Sequence, residues 1–211
     1  ESPEACMAAL EAILPWLPLV LALSANSPYL SGEETGLASA RAEILALLPR
    51  SGAPPVFASY EDWELFVERL VELGLADEIT RVWWDVRPHP RFGTLEIRIA
   101  DQPTRLQTTS EIATLLQAMA SRLDRGEPAD RGLYAQNRWA ALRFGRKAEL
   151  VHPDGSRLVS VPDLVGELAA RLRLREAASP GREDDGVGGD PRAALLRVER
   201  RDPVAVLGLE C

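Results

Sequence analysis

Histidine and cysteine are scarce, with two of each among 211 residues. Cys6 and Cys211 stand near opposite ends, too few for a disulfide framework, and nothing demands an oxidising compartment. A buried Cys6 and a solvent-exposed Cys211 are expected from general burial tendencies. No His/Cys spacing fits a zinc site. A P-loop, a dinucleotide fingerprint, a nucleophile elbow and a Ser/His/Asp set are all missing. No internal repeat occurs. The net charge of −8 argues against a broad nucleic-acid surface. Long apolar runs are missing too. The most apolar stretch, Ile13–Leu23, is too short to span a bilayer, contains Pro15 and Pro18 and has no basic leader. It reads as a buried core helix of a soluble, cytoplasmic protein.

What remains is an ordinary globular composition, 46% hydrophobic and 27% charged, long enough for one large domain or a domain with an appendage. The basic residues are mostly arginine, which suits bidentate contact with carboxylate or phosphate. Ser2-Pro3-Glu4 places a cap, a first-turn proline and an acid at the start of a helix running to about Leu23, bent by its prolines. Opening on Glu1 directly into this helix is the pattern of a fragment or a processed chain. Ser24–Gly36 reads as a loop, Ala38–Leu48 as a short helix and Tyr60–Leu73 as a helix capped by Ser59 and closed by Gly74. Thr80–Arg87 and Gly93–Ala100 read as strands. Helices follow at Thr109–Leu123, Leu133–Phe144 and Pro162–Leu174, with a hairpin around Pro153-Asp154-Gly155. Residues 177–190 have the composition of a flexible linker, and 191–211 form a tail with a short helix. The expected class is α+β, with helices packed around a small, mainly antiparallel, curved sheet.

Three segments can carry chemistry. In Trp83–Asp101, alternation puts Asp85 and Arg87 on one strand face and Glu96 and Arg98 on another. If the strands pair, two acids and two arginines crowd one surface, with Leu95, Ile97 and Ile99 behind it. Such a surface suits phosphoryl transfer: a carboxylate can hold Mg²⁺, and arginines can bind a carboxylate or a transferring phosphoryl group. Exposed ion pairs of little energetic weight would leave the same pattern. The second segment, Ser24–Arg41, is a long polar loop after a buried helix and ends in an arginine. The third, Tyr134–Gly145, sets Asn137, Arg138 and Arg143 on a helix whose apolar face includes Trp139 and Leu142; a solvated polar face is the plain alternative. His89 reads as a positioned loop residue and His152 as a surface residue.

Together, LALSANSP (Leu21–Pro28), TGLASAR (Thr35–Arg41), WWDVRPHPRFGTLEIRIAD (Trp83–Asp101) and NRWAALRFG (Asn137–Gly145) resemble the type-two glutamate–cysteine ligase family, the bacterial carboxylate–amine ligases. The resemblance covers most of residues 1–175. It implies a partial glutamine synthetase-like catalytic domain over residues 1–176, with a curved sheet as active-site floor. It implies that ATP phosphorylates a carboxylate, typically the γ-carboxylate of glutamate, and that an amine such as that of cysteine attacks the acyl phosphate. By the same resemblance Glu96 is a Mg²⁺ ligand and Arg98 contacts the reacting groups. Arg87 and Arg91 are further anion contacts, while Asn26 and Arg41 line the substrate pocket. The family's first half supplies further metal-binding acids, so the expected partner is an N-terminal half, with homo-oligomerisation a family expectation. A noncatalytic interaction subunit and a small-ligand-binding remnant are the competing readings.

Overall fold

The computed structural model describes residues 2–124 and 128–178. Helix α1 spans Pro3–Ile13; the Ser2 hydroxyl accepts the Ala5 N–H at 3.2 Å, and Pro3 and Glu4 occupy the first turn. A single 3₁₀ turn, Leu14–Trp16, then leads into α2, Leu17–Ser24. Pro15 and Pro18 each lack an N–H, so the helix tightens and bends there instead of running straight. Every residue of α2 is buried. The whole stretch Pro3–Ser24 is long and apolar enough to cross a membrane by length and composition, but 78% of its most apolar window lies inside the molecule. Here it is the core helix.

Helices α3 (Ala40–Ala46), α4 (Tyr60–Glu72), α5 (Leu106–Arg122), α6 (Arg131–Phe144) and α7 (Val161–Ala178) complete the helical set among the described residues. Helix α2 packs on α6 and α7, while α1 packs on α5. Leu10, Ile13, Leu17, Met119, Leu142 and Leu168 belong to this main core. A smaller core beneath α4 gathers Met7, Phe57, Trp63, Leu70, Val82 and Trp84. Helix α4 is capped by Ser59, whose hydroxyl accepts the Asp62 N–H, and Gly74 follows it at φ +67°.

The strands depart from expectation. Instead of one curved sheet, the described residues form three separate two-stranded antiparallel ribbons: β1–β2 (Tyr29–Leu30, Glu33–Glu34), β3–β4 (Val86–His89, Thr94–Ile97) and β5–β6 (Glu149–Val151, Leu158–Ser160). The physical reason is that different helices cover them: β3–β4 lies on α1, whereas β5 meets α6 and β6 meets α7. The first ribbon falls inside the expected loop. The expected strand from Thr80 is replaced at first by a 3₁₀ turn, Ile79–Arg81, because the Arg87 guanidinium folds back onto the Ile79 and Val82 carbonyls, both at 2.5 Å. Cys6 is half-buried rather than buried. Helix α7 continues through Ala178; the rest of the expected linker, the tail and Cys211 lie outside the described residues.

Candidate active-site face

The β3–β4 register sets Arg87 opposite Glu96 and Val86 opposite Ile97, and the Arg98 N–H donates to the Asp85 carbonyl at 2.7 Å. Strand alternation therefore gathers Asp85, Arg87, Glu96 and Arg98 on one face. Val86, Leu95, Ile97 and Ile99 lie behind them and pack into the main core. The outer edge of β3 is covered by the connector, where the Asp85 N–H donates to the Gly52 carbonyl at 2.7 Å.

Arg87 is almost fully buried. Its Nε donates to Glu96 Oε2 at 2.7 Å, and Nη1 serves the two carbonyls of the 3₁₀ turn. A buried guanidinium with several fixed acceptors holds one position. Arg98, half-buried beside it, makes no ion pair or side-chain hydrogen bond among the described residues. Burial, and then the Arg87 charge, lower its pKa; Glu96 and Asp85 oppose that shift and Arg41 adds to it. An arginine remains protonated under such pressure. It is thus a half-buried cation with open donors, set between two arginines and two acids.

Asp101 staples the second segment to this face. Its Oδ2 accepts the Asn26 N–H at 2.9 Å and the Ser27 hydroxyl at 2.6 Å, and its own N–H donates to Ser24 Oγ at 3.0 Å. The Asn26 side chain reaches the Gln102 carbonyl at 3.1 Å, while Arg41 Nη1 reaches the Ala100 carbonyl at 2.9 Å. Asn26 and Arg41 are therefore tied to the chain that continues from β4. Arg91 is placed differently: it is exposed in the β3–β4 turn, its guanidinium 5.7 Å above the Phe92 ring, and it forms no ion pair among the described residues. His89 ends β3 and stacks on Phe92, with ring centres 4.5 Å apart.

Asn137 and Arg138 of the third segment turn inward, contrary to a solvated face, whereas Arg143 stays exposed and donates to the Gly36 carbonyl. Asn137 accepts the Val151 N–H and donates to the Val151 carbonyl, both at 2.7 Å. Arg138 donates from Nε to Asp85 Oδ2 at 2.8 Å and from Nη2 to the Ala42 carbonyl at 3.1 Å. The Tyr134 hydroxyl also donates to Asp85 Oδ2, at 2.8 Å. Burial, then the Asp85 charge, push the Tyr134 pKa well above its ordinary value, so its proton stays in that bond. With these groups filling the buried side, Trp139 is left 51% exposed, not on an apolar core face. Arg138 is among the polar residues the sequence offers in this segment, but Tyr134 and Asp101 are not individually marked there; the spacing of Tyr134 and Arg138, one turn apart, is the available signal. His152 is also not a free surface residue: its side chain is 14% exposed and contacts Asp154 at 2.7 Å and Glu167 at 3.2 Å.

A magnesium ion needs several oxygen ligands. Among the described residues no group of three or more His, Cys, Asp or Glu side chains comes together, and one Glu96 oxygen already serves Arg87. These residues alone do not make a magnesium site.

The α+β frame thus gathers Arg87 and Arg98 with Asp85 and Glu96 on one face, and sequence comparison places that frame in a family. Residues 1–185 match the family described as glutamate-cysteine ligase family 2, and the chain belongs to that family. A protein of Rubrobacter xylanophilus named "Putative glutamate--cysteine ligase 2-3" is 44% identical over 169 residues, covering 80% of this chain and 47% of that protein. One of Sorangium cellulosum, "Putative glutamate--cysteine ligase 2", is 40% identical over 172 residues, covering 78% of this chain and 46% of that protein. The chain spans about half the length of the curated relatives it matches.

Proposed function

We propose that this chain forms the arginine-bearing part of an ATP-dependent carboxylate–amine ligase with a glutamine synthetase-like site. In this reaction a carboxylate oxygen, typically of the glutamate γ-carboxylate, takes the terminal phosphoryl group of ATP, giving an acyl phosphate and ADP. The nitrogen of a second substrate, such as cysteine, attacks the acyl carbon. Phosphate leaves, the nitrogen loses a proton, and an amide remains. Family membership supports the ligase class.

The observation that carries the reading is Arg98, a half-buried cation without a side-chain hydrogen bond beside the Arg87–Glu96 pair. A partly desolvated cation with open donors suits charge that develops on a transferring phosphoryl group. Arg87, with Nε and Nη1 engaged, acts by fixing Glu96. Asn26 and Arg41 border the substrate and Arg91 meets its outer charge. Glu96 contributes one carboxylate toward Mg²⁺. The other ligands come from the remainder of a longer polypeptide or from a partner chain, in keeping with the half-length match to the relatives.

The test is ADP release from the chain produced together with its preceding coding region, given ATP, Mg²⁺, glutamate and a panel of amines. Arg98→Gln should lower turnover by about 10²–10³-fold while the protein stays folded. Folded protein without carboxylate-dependent ADP release would instead favour a noncatalytic interaction subunit, a reading motivated by the lack of an acid cluster among the described residues.

A further inference from the structure

Asp101 is buried, and both of its carboxylate oxygens are engaged. Besides the Asn26 N–H and the Ser27 hydroxyl on Oδ2, Oδ1 accepts the Gln102 N–H at 2.8 Å. Three donors thus meet two oxygens, and an amide in this place would set its NH₂ against one of them. The Ser27 hydroxyl passes the constraint on. Its proton goes to Asp101, so its lone pairs receive the Arg41 N–H at 3.2 Å and the Ser39 hydroxyl at 3.3 Å. Ser39 in turn caps α3 by accepting the Ala42 N–H at 3.2 Å, and the Ser27 carbonyl accepts the Ala40 N–H at 2.8 Å. The start of α3, which carries Arg41, is thereby fastened to Asp101. The half-buried Arg41 guanidinium makes one hydrogen bond among the described residues, to the Ala100 carbonyl between Arg98 and Asp101 in the chain, and its other donors stay open.

We propose that Asp101, acting through Ser27, sets the position of Arg41 so that its open donors meet the carboxylate substrate. This rests on the ligase reading above and adds a positioning residue to it. Asp101 itself touches no substrate. It registers the loop after α2 against the exit of β4, so that Arg41 and Arg98 keep a fixed spacing although they come from segments far apart in sequence. Arginine binds a carboxylate through a planar fork, so its contact depends on where the side chain is anchored. A misplacement of about 1 Å in such a group can cost on the order of 100-fold.

The test uses the whole enzyme, this chain with its preceding region, and asks whether Asp101 acts through Arg41. ADP release is measured against glutamate and against ATP for the unmodified enzyme, Asp101→Asn, Arg41→Gln and the two changes together. Asp101→Asn should raise KM for glutamate by about 10-fold or more, with kcat within about threefold and KM for ATP within about twofold. Arg41→Gln should raise KM for glutamate as well. Once Arg41 is gone, Asp101→Asn should add less than about twofold, because residues that act as one unit are not additive. A purely structural Asp101 would instead repeat its full effect in the Arg41→Gln background, and that result would overturn the proposal. A fall in kcat with KM for glutamate unchanged, or an Arg41→Gln enzyme with the parent's KM, would overturn it equally. Should Asp101→Asn not fold, Ser27→Ala removes only the hydroxyl link and should show the same rise and the same non-additivity; an unchanged KM there would refute the proposal. No ADP release from the folded, unmodified enzyme would overturn the ligase reading and this role with it.

Discussion

Replacing Arg138 by leucine should be among the most damaging single changes outside the apolar core. Arg138 and Asp85 are 9% and 7% exposed and meet at 2.8 Å. Removing the guanidinium leaves Asp85 buried beside Tyr134, and breaking a buried pair in this way costs about 3–5 kcal/mol. Loss of the bond to the Ala42 carbonyl adds about 1 kcal/mol. At roughly 2–4 °C per kcal/mol for a domain of this size, the pair alone lowers the melting temperature by about 6–20 °C. The assay is thermal or urea unfolding followed by circular dichroism. The combination Asp85→Leu, Tyr134→Phe and Arg138→Leu removes the whole polar set and should recover much of the loss, because apolar groups of similar volume often replace buried ion pairs at little cost. A shift below about 2 °C in the single variant would refute the reasoning, as would a triple variant no more stable than the single one.

Two further outcomes follow from local geometry. Gly145 ends α6 at φ +55°, and a Cβ there would stand 3.0 Å from Ala38 Cβ and 3.6 Å from Ala25 Cβ. Gly145→Ala should therefore cost about 1–3 kcal/mol in urea unfolding, more than Gly52→Ala, where φ is +79° but the space is open. Asp154 is held well below the usual carboxylate range, first by the Ser156 side chain, then by the Ser156 N–H at 2.8 Å, then by His152. A lowered folded-state pKa gives stability that is present above the unfolded value of about 3.9 and is lost as pH falls through the folded value. Asp154→Asn should thus lower the urea midpoint at neutral pH, and its gap from the parent should narrow in acid. A gap that widens in acid would contradict the assignment.

Local signals carried much of the architecture into view. Ser59 and Gly74 bound α4 by capping chemistry, the Pro-Asp-Gly turn marks β5–β6, and alternation in Trp83–Asp101 placed Arg87 and Glu96 on one face as found. What could not be read depended on tertiary partners. Strand periodicity predicts a ribbon but not its neighbours, so the separation into three ribbons under different helices was hidden. The polarity of α6 misled for the same reason. Asn137 and Arg138 look solvent-facing until Val151 and Asp85 are brought against them from residues far away in sequence. Asp101 likewise resembles a strand-end acid, and only the fold sets it under Asn26 and Ser27.

The central claim is that Arg98 and Glu96 belong to a site that couples ATP cleavage to amide formation. The most direct measurement is to quantify ADP and amide product together, by mass spectrometry, from this chain with its preceding region, supplied with ATP, Mg²⁺, glutamate and cysteine, alongside Glu96→Gln. The account predicts ADP and amide in equal amounts, both requiring the amino acid and both nearly abolished by Glu96→Gln in a protein that melts as the parent does. Amide formation that Glu96→Gln leaves untouched, or folded parent protein that yields neither product, would contradict it.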